Sequence, residues 1–560
     1  MEFLQLFVFL ALLIILSPLL GHYIASVISG EIGLRFKTLG KIENAFYKFL
    51  KIDSEVEMDW KGYLFNLLMF NLAGFIFLLL IQLIQAYLPF NPQHLGNVEL
   101  SLAINTAVSF VTNTNWQSYA GETTLSYFVQ TVGLTVQNFL SAATGISVLF
   151  VLIRSLTRKN SSKLGNFWTD MTKTTFYILL PLSLIFALFL VSQGVVDTFR
   201  PYTEATTLEG ARQVIPLGPA ASQVAIKQLG TNGGGFFNAN SAFPFENPTP
   251  LSNFFEMLAI LLIPSSLVFT YGRLTGSKKG ALAIFGVMLF LFIAGLTVSI
   301  ISEYSTNPIF KMGGLMEGKE TRFGVLNSVI WSTATTAASN GSVNAMQSSL
   351  SPFSALVSLF NMQVGEIIFG GVGCGLYGMV LFIFLTVFIS GLMVGRTPEY
   401  LGKKIDAYEI KLTIIAIILP NMVILLFTAI SLIVKSGLSG LSTSGPHGFT
   451  EALYAFSSAA GNNGSAFAGL GANTVFYNLL ISLGMLIGRF GILIPVMAIA
   501  GNLVQKNITP PSKGTLRTDT PLFALLLTGI IIIVGALTFF PALSLGPLLE
   551  HLLMHKGILF

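Results

Sequence analysis

Long apolar runs separated by short polar segments dominate the chain from end to end. The hydrocarbon core of a bilayer is about 30 Å thick, so a helix of roughly 20 apolar residues spans it. Ten runs reach this length, near 3–28, 61–88, 123–153, 172–194, 251–273, 281–303, 354–395, 408–435, 473–502 and 521–541. The pattern predicts an all-α polytopic membrane protein with about ten transmembrane helices.

The composition supports this prediction and narrows the chemistry. The chain is 53% hydrophobic and 10% charged, whereas a soluble domain carries about 25% charged residues, so most of its surface must face the lipid bilayer. The single cysteine, Cys374, excludes a disulfide framework and a cysteine metal cluster. His551 and His555 have helical spacing, but they lie beside Lys556, and we interpret them as a solvated helix end rather than a metal site.

The basic residues predict an orientation. With the N-terminus outside, the inner loops hold 21 of the 30 Lys and Arg residues, the outer segments hold 8, and Arg489 lies within a span. Because cytoplasmic loops collect Lys and Arg, this division predicts that both termini are external. It also accounts for the charge of +5 without a nucleic-acid partner. No Lys or Arg precedes Gly33, which argues for a retained first span over a cleaved signal peptide.

Four segments predicted on the outer face share one pattern. Each is a moderately apolar run of about three helical turns followed by small and amide residues, at 101–117, 221–235, 325–342 and 452–465. Aligned, Asn113-Thr114, Asn232-Gly233, Asn340-Gly341 and Asn463-Gly464 take equivalent places, at separations of 119, 108 and 123 residues.

This period predicts four pseudo-repeats of helix, pore loop and helix around one axis. They cover 61–153, 172–273, 281–395 and 408–502. The segment 1–60 adds a first transmembrane helix with a cytoplasmic loop, and 503–560 adds a last helix with an external tail.

The residue types in these segments suit a cation pore. Non-helical backbone at membrane depth is tolerated where it lines a water-filled path, and dehydrating K⁺ requires rings of carbonyl oxygens. Glycine accepts the positive φ that turns carbonyls toward an axis, and asparagine tolerates it too. One Asn-Gly pair is more often a surface turn. Four copies on one face, each after a short helix and before a span, favour a pore.

At these residues the chain resembles the potassium-binding subunit of the bacterial Kdp-type potassium-transporting ATPase, within the superfamily of potassium transporters built from four pore-loop repeats. The strings TNTNWQ, GTNGGGFFNANSAFPFENP, TTAASNGSVNAM and SSAAGNNGSAFAGL carry the resemblance. It implies a K⁺ selectivity filter built from the backbone carbonyls of Asn113, Thr114, Thr231, Asn232, Gly233, Ser339, Asn340, Gly341, Asn462, Asn463 and Gly464.

Three further features are candidates for the ion path. Gln117 follows the first filter segment, and we expect it to support the filter or contact an arriving ion rather than cap the next helix. Arg489 lies near the centre of a span, where a charge is costly, so we expect it below the filter, opposing direct passage. The stretch 361–375 predicts either a half-helix with an intramembrane loop or glycine-rich helix packing. The resemblance implies a blocking loop here, with gate residues Gly365, Glu366, Gly370 and Gly371.

The chain holds neither a GxxxxGK[ST] phosphate loop nor the Asp-Lys-Thr-Gly string of a P-type ATPase, so we expect it not to hydrolyse ATP. The resemblance implies a separate P-type ATPase subunit that receives K⁺ sideways, two small accessory membrane subunits and a bacterial cytoplasmic (inner) membrane. K⁺ is the expected transported ion, and no other cofactor is expected. The alternatives are a passive or ion-coupled K⁺ transporter of the same superfamily and a non-transporting scaffold, with Na⁺ a lesser possibility as substrate.

Overall fold

The computed structural model describes residues 2–31, 37–393, 395, 397–510 and 516–558. The basic residues Arg35, Arg396 and Lys513, which contribute to the predicted orientation, lie outside the described residues. Ten described helices are long and apolar enough to cross a membrane. The predicted fold class, an all-α polytopic membrane protein with about ten spans, is confirmed.

Twenty α-helices make up most of the described chain. In chain order they are α1 (Glu2–Ile28), α2 (Lys37–Leu50), α3 (Trp60–Leu83), α4 (Leu100–Val111), α5 (Gly121–Thr124), α6 (Val136–Thr157), α7 (Phe167–Lys173), α8 (Leu180–Gln193), α9 (Ala220–Leu229), α10 (Pro250–Leu274), α11 (Lys278–Tyr304), α12 (Gly324–Ala337), α13 (Pro352–Gln363), α14 (Cys374–Met393), α15 (Ala407–Ile433), α16 (Lys435–Leu438), α17 (Gly445–Gly461), α18 (Val475–Leu503), α19 (Pro521–Leu543) and α20 (Leu549–Met554).

Short elements complete the described architecture. Stretches of π-helix at Val129–Thr135, Thr174–Leu179 and Ser544–Leu548 precede α6, join α7 to α8 and join α19 to α20. Two antiparallel hairpins lie in loops and pair β1 (Thr203–Thr206) with β2 (Arg212–Ile215), and β3 (Glu399–Tyr400) with β4 (Lys403–Lys404).

Polar capping residues fix where several spans begin. The side chains of four residues accept the backbone N–H three positions later, which satisfies a donor that the first helical turn leaves free. These residues are Asp59 before α3, Thr249 before α10, Thr474 before α18 and Thr520 before α19.

Four short helices, α4, α9, α12 and α17, stand between pairs of spans and end at the four segments singled out from the sequence. α17 begins at Gly445, seven residues before the predicted 452, because Pro446 suits the first turn of a helix. The predicted run 354–395 is two helices, α13 and α14, joined by the non-helical segment 364–373. The structure therefore favours the half-helix interpretation of this stretch over continuous helix packing.

Burial separates inner from peripheral spans. In the most apolar part of each span, 83% of the residues are buried for Val129–Thr157 and 78% for Pro250–Leu274, against 17% for Phe3–Ile28. α6 and α10 therefore lie in the core of the molecule, while α1 lies at its periphery.

The loops predicted to be cytoplasmic meet at one end of the spans. The Lys403 ammonium is buried there and donates to the carbonyl oxygens of Arg158, Leu503 and Lys506. Burial, together with the smaller effect of the nearby Lys506 charge, lowers the pKa of Lys403 to about 8. Segments predicted to be external meet elsewhere, where Lys319 pairs with Glu303 at 3.1 Å. The basic loops thus form one face of the molecule.

Candidate ion-binding site

The four segments that follow α4, α9, α12 and α17 share an unusual backbone. Two residues in each, spaced two apart, have left-handed φ: Asn113 and Asn115, Thr231 and Gly233, Ser339 and Gly341, Asn462 and Gly464. Left-handed backbone is uncommon for residues other than glycine. In an ordinary strand successive residues face opposite sides. Alternation of residues with positive and negative φ instead turns successive carbonyl oxygens toward the same side.

The middle residue of each segment has a common backbone hydrogen bond. Its N–H donates to the carbonyl oxygen five residues earlier, from Thr114 to Ser109 (2.9 Å), Asn232 to Lys227 (2.8 Å), Asn340 to Thr335 (3.0 Å) and Asn463 to Ser458 (2.8 Å). Thr114, rather than Asn113, is therefore the counterpart of the three asparagines.

This register corrects the alignment of the first segment by one residue. The sequence alignment places Thr114 opposite the glycines of the other segments. In the structure Asn115 instead takes the place of Gly233, Gly341 and Gly464. Asparagine visits the left-handed region more readily than other side-chain-bearing residues. Asn113 and Asn115 therefore look interchangeable in the sequence, although they occupy different levels of the site.

Side-chain hydrogen bonds join the four segments into a closed ring. Each bond runs from an asparagine amide to a neighbouring repeat: Asn113 to Thr231 O (2.9 Å), Asn340 to Lys227 O (3.0 Å), Asn463 to Thr335 O (2.9 Å) and Asn462 to Thr114 Oγ1 (2.9 Å). The connected residues are more than 100 positions apart in sequence. The four segments are thus linked to one another in the order in which they occur along the chain.

The glycines of this ring allow close approach between neighbours. A Cβ atom on Gly233 would collide with the carbonyl oxygen of Asn340, one on Gly341 with that of Asn463, and one on Gly464 with that of Thr114. All three glycines also have positive φ. Any larger residue at these positions must therefore displace the backbone of the next segment.

The carbonyl oxygens of the ring differ in their hydrogen bonding. Thr231 O, Gly233 O and Asn462 O accept side-chain donors. Within the described part of the chain, no hydrogen bond reaches the carbonyl oxygens of the four middle residues, Thr114, Asn232, Asn340 and Asn463. Because these residues are fully buried or nearly so, their free carbonyls call for a ligand.

A cavity of about 570 Å³ lies above the ring and is lined by Asn115, Gly233, Gly341 and Gly464. Gln117 also lines it. The Gln117 amide donates to Gly235 O and accepts from Gly235 N, both at 2.9 Å, so it joins the first repeat to the second. We call this cavity the vestibule.

A second cavity, of about 30 Å³, lies below the ring and is lined by Ser339, Asn462, Glu366, Cys374 and Arg489. Its volume suits about one water molecule. We call it the lower cavity. The segment 364–373 closes it and is attached to the ring, since Val372 N donates to Thr231 Oγ1 at 3.0 Å.

The structure brings all the predicted gate residues to this segment or cavity. Gly365, Glu366 and Gly371 line the lower cavity with Arg489. Gly370 has positive φ, and its N–H donates to Ala337 O at 2.8 Å, at the end of α12.

Two buried ionisable side chains, Arg489 and Glu366, face the lower cavity. Arg489 is 4% exposed and donates to Ser141 O at 3.1 Å, and it forms no ion pair with a described carboxylate. Glu366 is 2% exposed, and neither carboxylate oxygen has a hydrogen-bond partner in the described part of the chain. A buried charge without a partner is costly, so the Glu366 carboxyl group is stable as an anion only with a cation beside it in the lower cavity.

A third cavity, of about 40 Å³, adjoins the lower cavity and shares Gly365, Gly378 and Ile492 with it. Its lining includes the polar side chains of Gln363 and Asn421, between residues of α14, α15 and α19. We call it the lateral cavity. Sequence reasoning missed both residues, although an asparagine within the apolar run 408–435 is a recognisable signal.

The fold is that of a multi-pass membrane protein. The chain resembles the crystal structure of the potassium transporter TrkH from Vibrio parahaemolyticus with a TM-score of 0.52 at 14% identity, over 85% of this chain and 96% of that one. This likeness concerns the fold alone.

The family follows from the sequence comparisons. Residues 7–552 match the family model described as potassium-transporting ATPase A subunit. A relative from Leptospira interrogans is 56% identical over the full length of both chains, and one from Pseudomonas aeruginosa is 53% identical over 98% of this chain and 99% of its own. Both are named potassium-transporting ATPase potassium-binding subunit. The chain belongs to the potassium-transporting ATPase A subunit family.

Proposed function

We propose that this chain is the potassium-binding subunit of an ATP-driven uptake complex and that the ring of four segments is its selectivity filter. The proposal rests on four backbone carbonyl oxygens in a closed ring, one from each repeat, that accept no hydrogen bond from the described part of the chain. Carbonyl oxygens replace the hydration shell of K⁺ in such filters. The filter residues are those named from the sequence, with Asn115 added: Asn113, Thr114, Asn115, Thr231, Asn232, Gly233, Ser339, Asn340, Gly341, Asn462, Asn463 and Gly464.

The cavities support a route for the ion. K⁺ enters through the vestibule past Gln117, is dehydrated in the ring and reaches the lower cavity beside the Glu366 carboxylate. The segment 364–373 and the Arg489 guanidinium oppose further movement straight through the membrane. The lateral cavity offers a sideways exit between α15 and α19, toward a partner subunit.

The names of the relatives support a partner that hydrolyses ATP, because they describe a subunit of an ATPase. The receiving partner is a P-type ATPase subunit, and two small accessory membrane subunits complete the complex. The complex lies in a bacterial cytoplasmic membrane, with the vestibule and both termini external and the basic face inside. The four repeats are the units 61–153, 172–273, 281–395 and 408–502. Family membership favours this function over a passive transporter or a scaffold.

Gly341→Ala tests the proposal in the purified complex. The added methyl group strains a left-handed residue and displaces Asn463 O, so the K⁺ concentration for half-maximal ATP hydrolysis should rise by about tenfold or more. Gly286→Ala is the matched control, because a Cβ at this residue of α11 meets no atom within 4 Å. An unchanged K⁺ dependence in assembled Gly341→Ala complex contradicts the proposal.

A further inference from the structure

Lys227 is the exception at a repeated position of the ring. The residue whose carbonyl accepts the middle N–H of each segment carries a hydroxyl in the other three repeats: Ser109, Thr335 and Ser458. These hydroxyls lie close to their own segments; for example, Ser458 Oγ accepts from Gly464 N at 2.9 Å. In the second repeat a long cationic side chain takes the place of this hydroxyl.

The Lys227 ammonium lies in a fully enclosed ion pair. The side chains of Lys227 and Glu246 are both 0% exposed and contact each other directly. The other Glu246 oxygen accepts from Phe237 N at 2.7 Å, and Lys227 Nζ also donates to Asn240 Oδ1 at 2.9 Å. Because the loss of hydration offsets much of the attraction, a buried ion pair often adds little net stability over apolar side chains of similar volume, so an ion pair here calls for a reason beyond stability.

Asn240 connects this ion pair to the ring. Its amide Nδ2 donates to Gly233 O at 2.8 Å while its Oδ1 accepts from Lys227. Asn240 itself has left-handed φ, which asparagine tolerates. The backbone carbonyl of Lys227 also accepts from Asn232 N and Gly233 N. Lys227 therefore holds the second segment in two ways. Its carbonyl oxygen accepts from the backbone N–H groups of the segment, and its ammonium fixes the asparagine that donates to Gly233 O.

We infer that Asn240, fixed by the Lys227–Glu246 ion pair, is a positioning residue that sets the orientation of the second filter segment and so the ring's affinity and selectivity for K⁺. Gly233 follows Asn232, whose carbonyl oxygen accepts no hydrogen bond in the described chain. Rotation of the Gly233 carbonyl therefore also changes the orientation of the Asn232 carbonyl. Glu246 has a second effect, because it neutralises an ammonium that would otherwise repel K⁺ from the ring. This inference rests on the proposed function.

Asn240→Asp in the purified, complete ATPase complex tests the positioning role. Aspartate has nearly the same shape and tolerates left-handed φ, but it lacks the amide donor to Gly233 O. The K⁺ concentration for half-maximal ATP hydrolysis should rise by about tenfold, and the preference for K⁺ over Rb⁺ should fall.

Asn247→Asp is the matched control. Asn247 is buried in the same loop and donates to Ser241 O at 3.0 Å, without a bond to the filter segments. Equal effects of Asn240→Asp and Asn247→Asp on K⁺ dependence and on the preference for K⁺ over Rb⁺ overturn the inference, because they indicate a loop that is only structural.

Two charge-removal variants test the ion pair and decide the matter if Asn240→Asp does not assemble. Glu246→Gln leaves the ammonium unpaired. The K⁺ concentration for half-maximal ATP hydrolysis should therefore rise by about tenfold. The double variant Lys227→Met with Glu246→Gln removes both charges and with them the repulsion of K⁺, but it also removes the donor that fixes Asn240. It should therefore keep a reduced preference for K⁺ over Rb⁺. A double variant with the parental preference for K⁺ over Rb⁺ overturns the inference. If Gly341→Ala also leaves K⁺ dependence unchanged, the proposed function fails as well; if only these variants do, the inference alone fails.

Discussion

Asn115 holds the place that glycine holds in the other three filter segments, and its amide donates to Asn138 Oδ1 at 2.8 Å. The side chain thus braces the first segment against α6 from a backbone conformation that few residues adopt. Asn115→Gly should keep the K⁺ concentration for half-maximal ATP hydrolysis within about threefold of the parental value, because glycine accepts the same φ. Asn115→Val should lose high-affinity stimulation, because a β-branched residue opposes left-handed φ. The measurement is the K⁺ dependence of ATP hydrolysis by the complex.

Thr114→Gly distinguishes the two possible alignments of the first segment. If Thr114 were the glycine counterpart, its replacement by glycine would be the tolerated change and Asn115→Gly the damaging one. The structure predicts the opposite order, since Thr114 Oγ1 accepts from Asn462 and closes the ring at 2.9 Å. A better-tolerated Thr114→Gly contradicts the register derived from the backbone.

The spans were predictable from the sequence because the length and apolarity of each run reflect one local requirement, the thickness of the bilayer. The four segments with left-handed backbone were predictable because residue types that accept left-handed φ recur at a regular period. The register of the first segment was not, because Asn113 and Asn115 satisfy the same backbone preference. The bond from Asn340 to Lys227 O and the role of Asn240 were also hidden, because they depend on contacts between segments far apart in the chain.

Gln117→Arg should lower K⁺ affinity for two separable reasons. The change breaks both hydrogen bonds to Gly235 and places a cation in the vestibule. Gln117→Arg should raise the K⁺ concentration for half-maximal ATP hydrolysis by about tenfold or more. Gln117→Met removes the hydrogen bonds without adding charge, so it should raise this concentration less. Equal effects of the two variants would show that the charge contributes nothing and that Gln117 acts only as a brace.

Arg489→Ala should allow K⁺ to leak without ATP. The guanidinium lines the lower cavity and has no described carboxylate partner, so its charge opposes a cation that moves straight inward. The measurement is passive K⁺ flux into liposomes that contain the complex. Arg489→Lys keeps the charge in nearly the same place and should stay tight. Equally low leak in both variants contradicts a gating role for the charge.

Lys403→Met should destabilise the basic face of the molecule. The ammonium satisfies three backbone carbonyls, of which those of Arg158 and Leu503 belong to the ends of different spans. Leaving buried acceptors without a donor costs about 1–3 kcal/mol each, so the thermal transition of the purified complex should fall by several degrees. Lys404→Met is the control, because Lys404 is exposed and its pair with Asp406 contributes little. A similar transition for both variants would contradict the prediction.

Gly378→Val should separate K⁺ binding from K⁺ transfer. Gly378 lines both the lower and the lateral cavity, and a Cβ there lies 3.0 Å from the Ile367 side chain. It lies in α14 without positive φ, so valine narrows the junction with little backbone strain. Stabilisation by K⁺ against heat should remain, because the ring is untouched, while the maximal rate of K⁺ uptake should fall by about tenfold. Gly286→Val, in α11, should change neither quantity.

If Gly378→Val transports at the parental rate, the ion does not leave through the lateral cavity, and a different exit from the lower cavity must exist. If instead K⁺ no longer stabilises the variant, the substitution has disturbed the ring, and the two cavities are not mechanically independent of the filter above them.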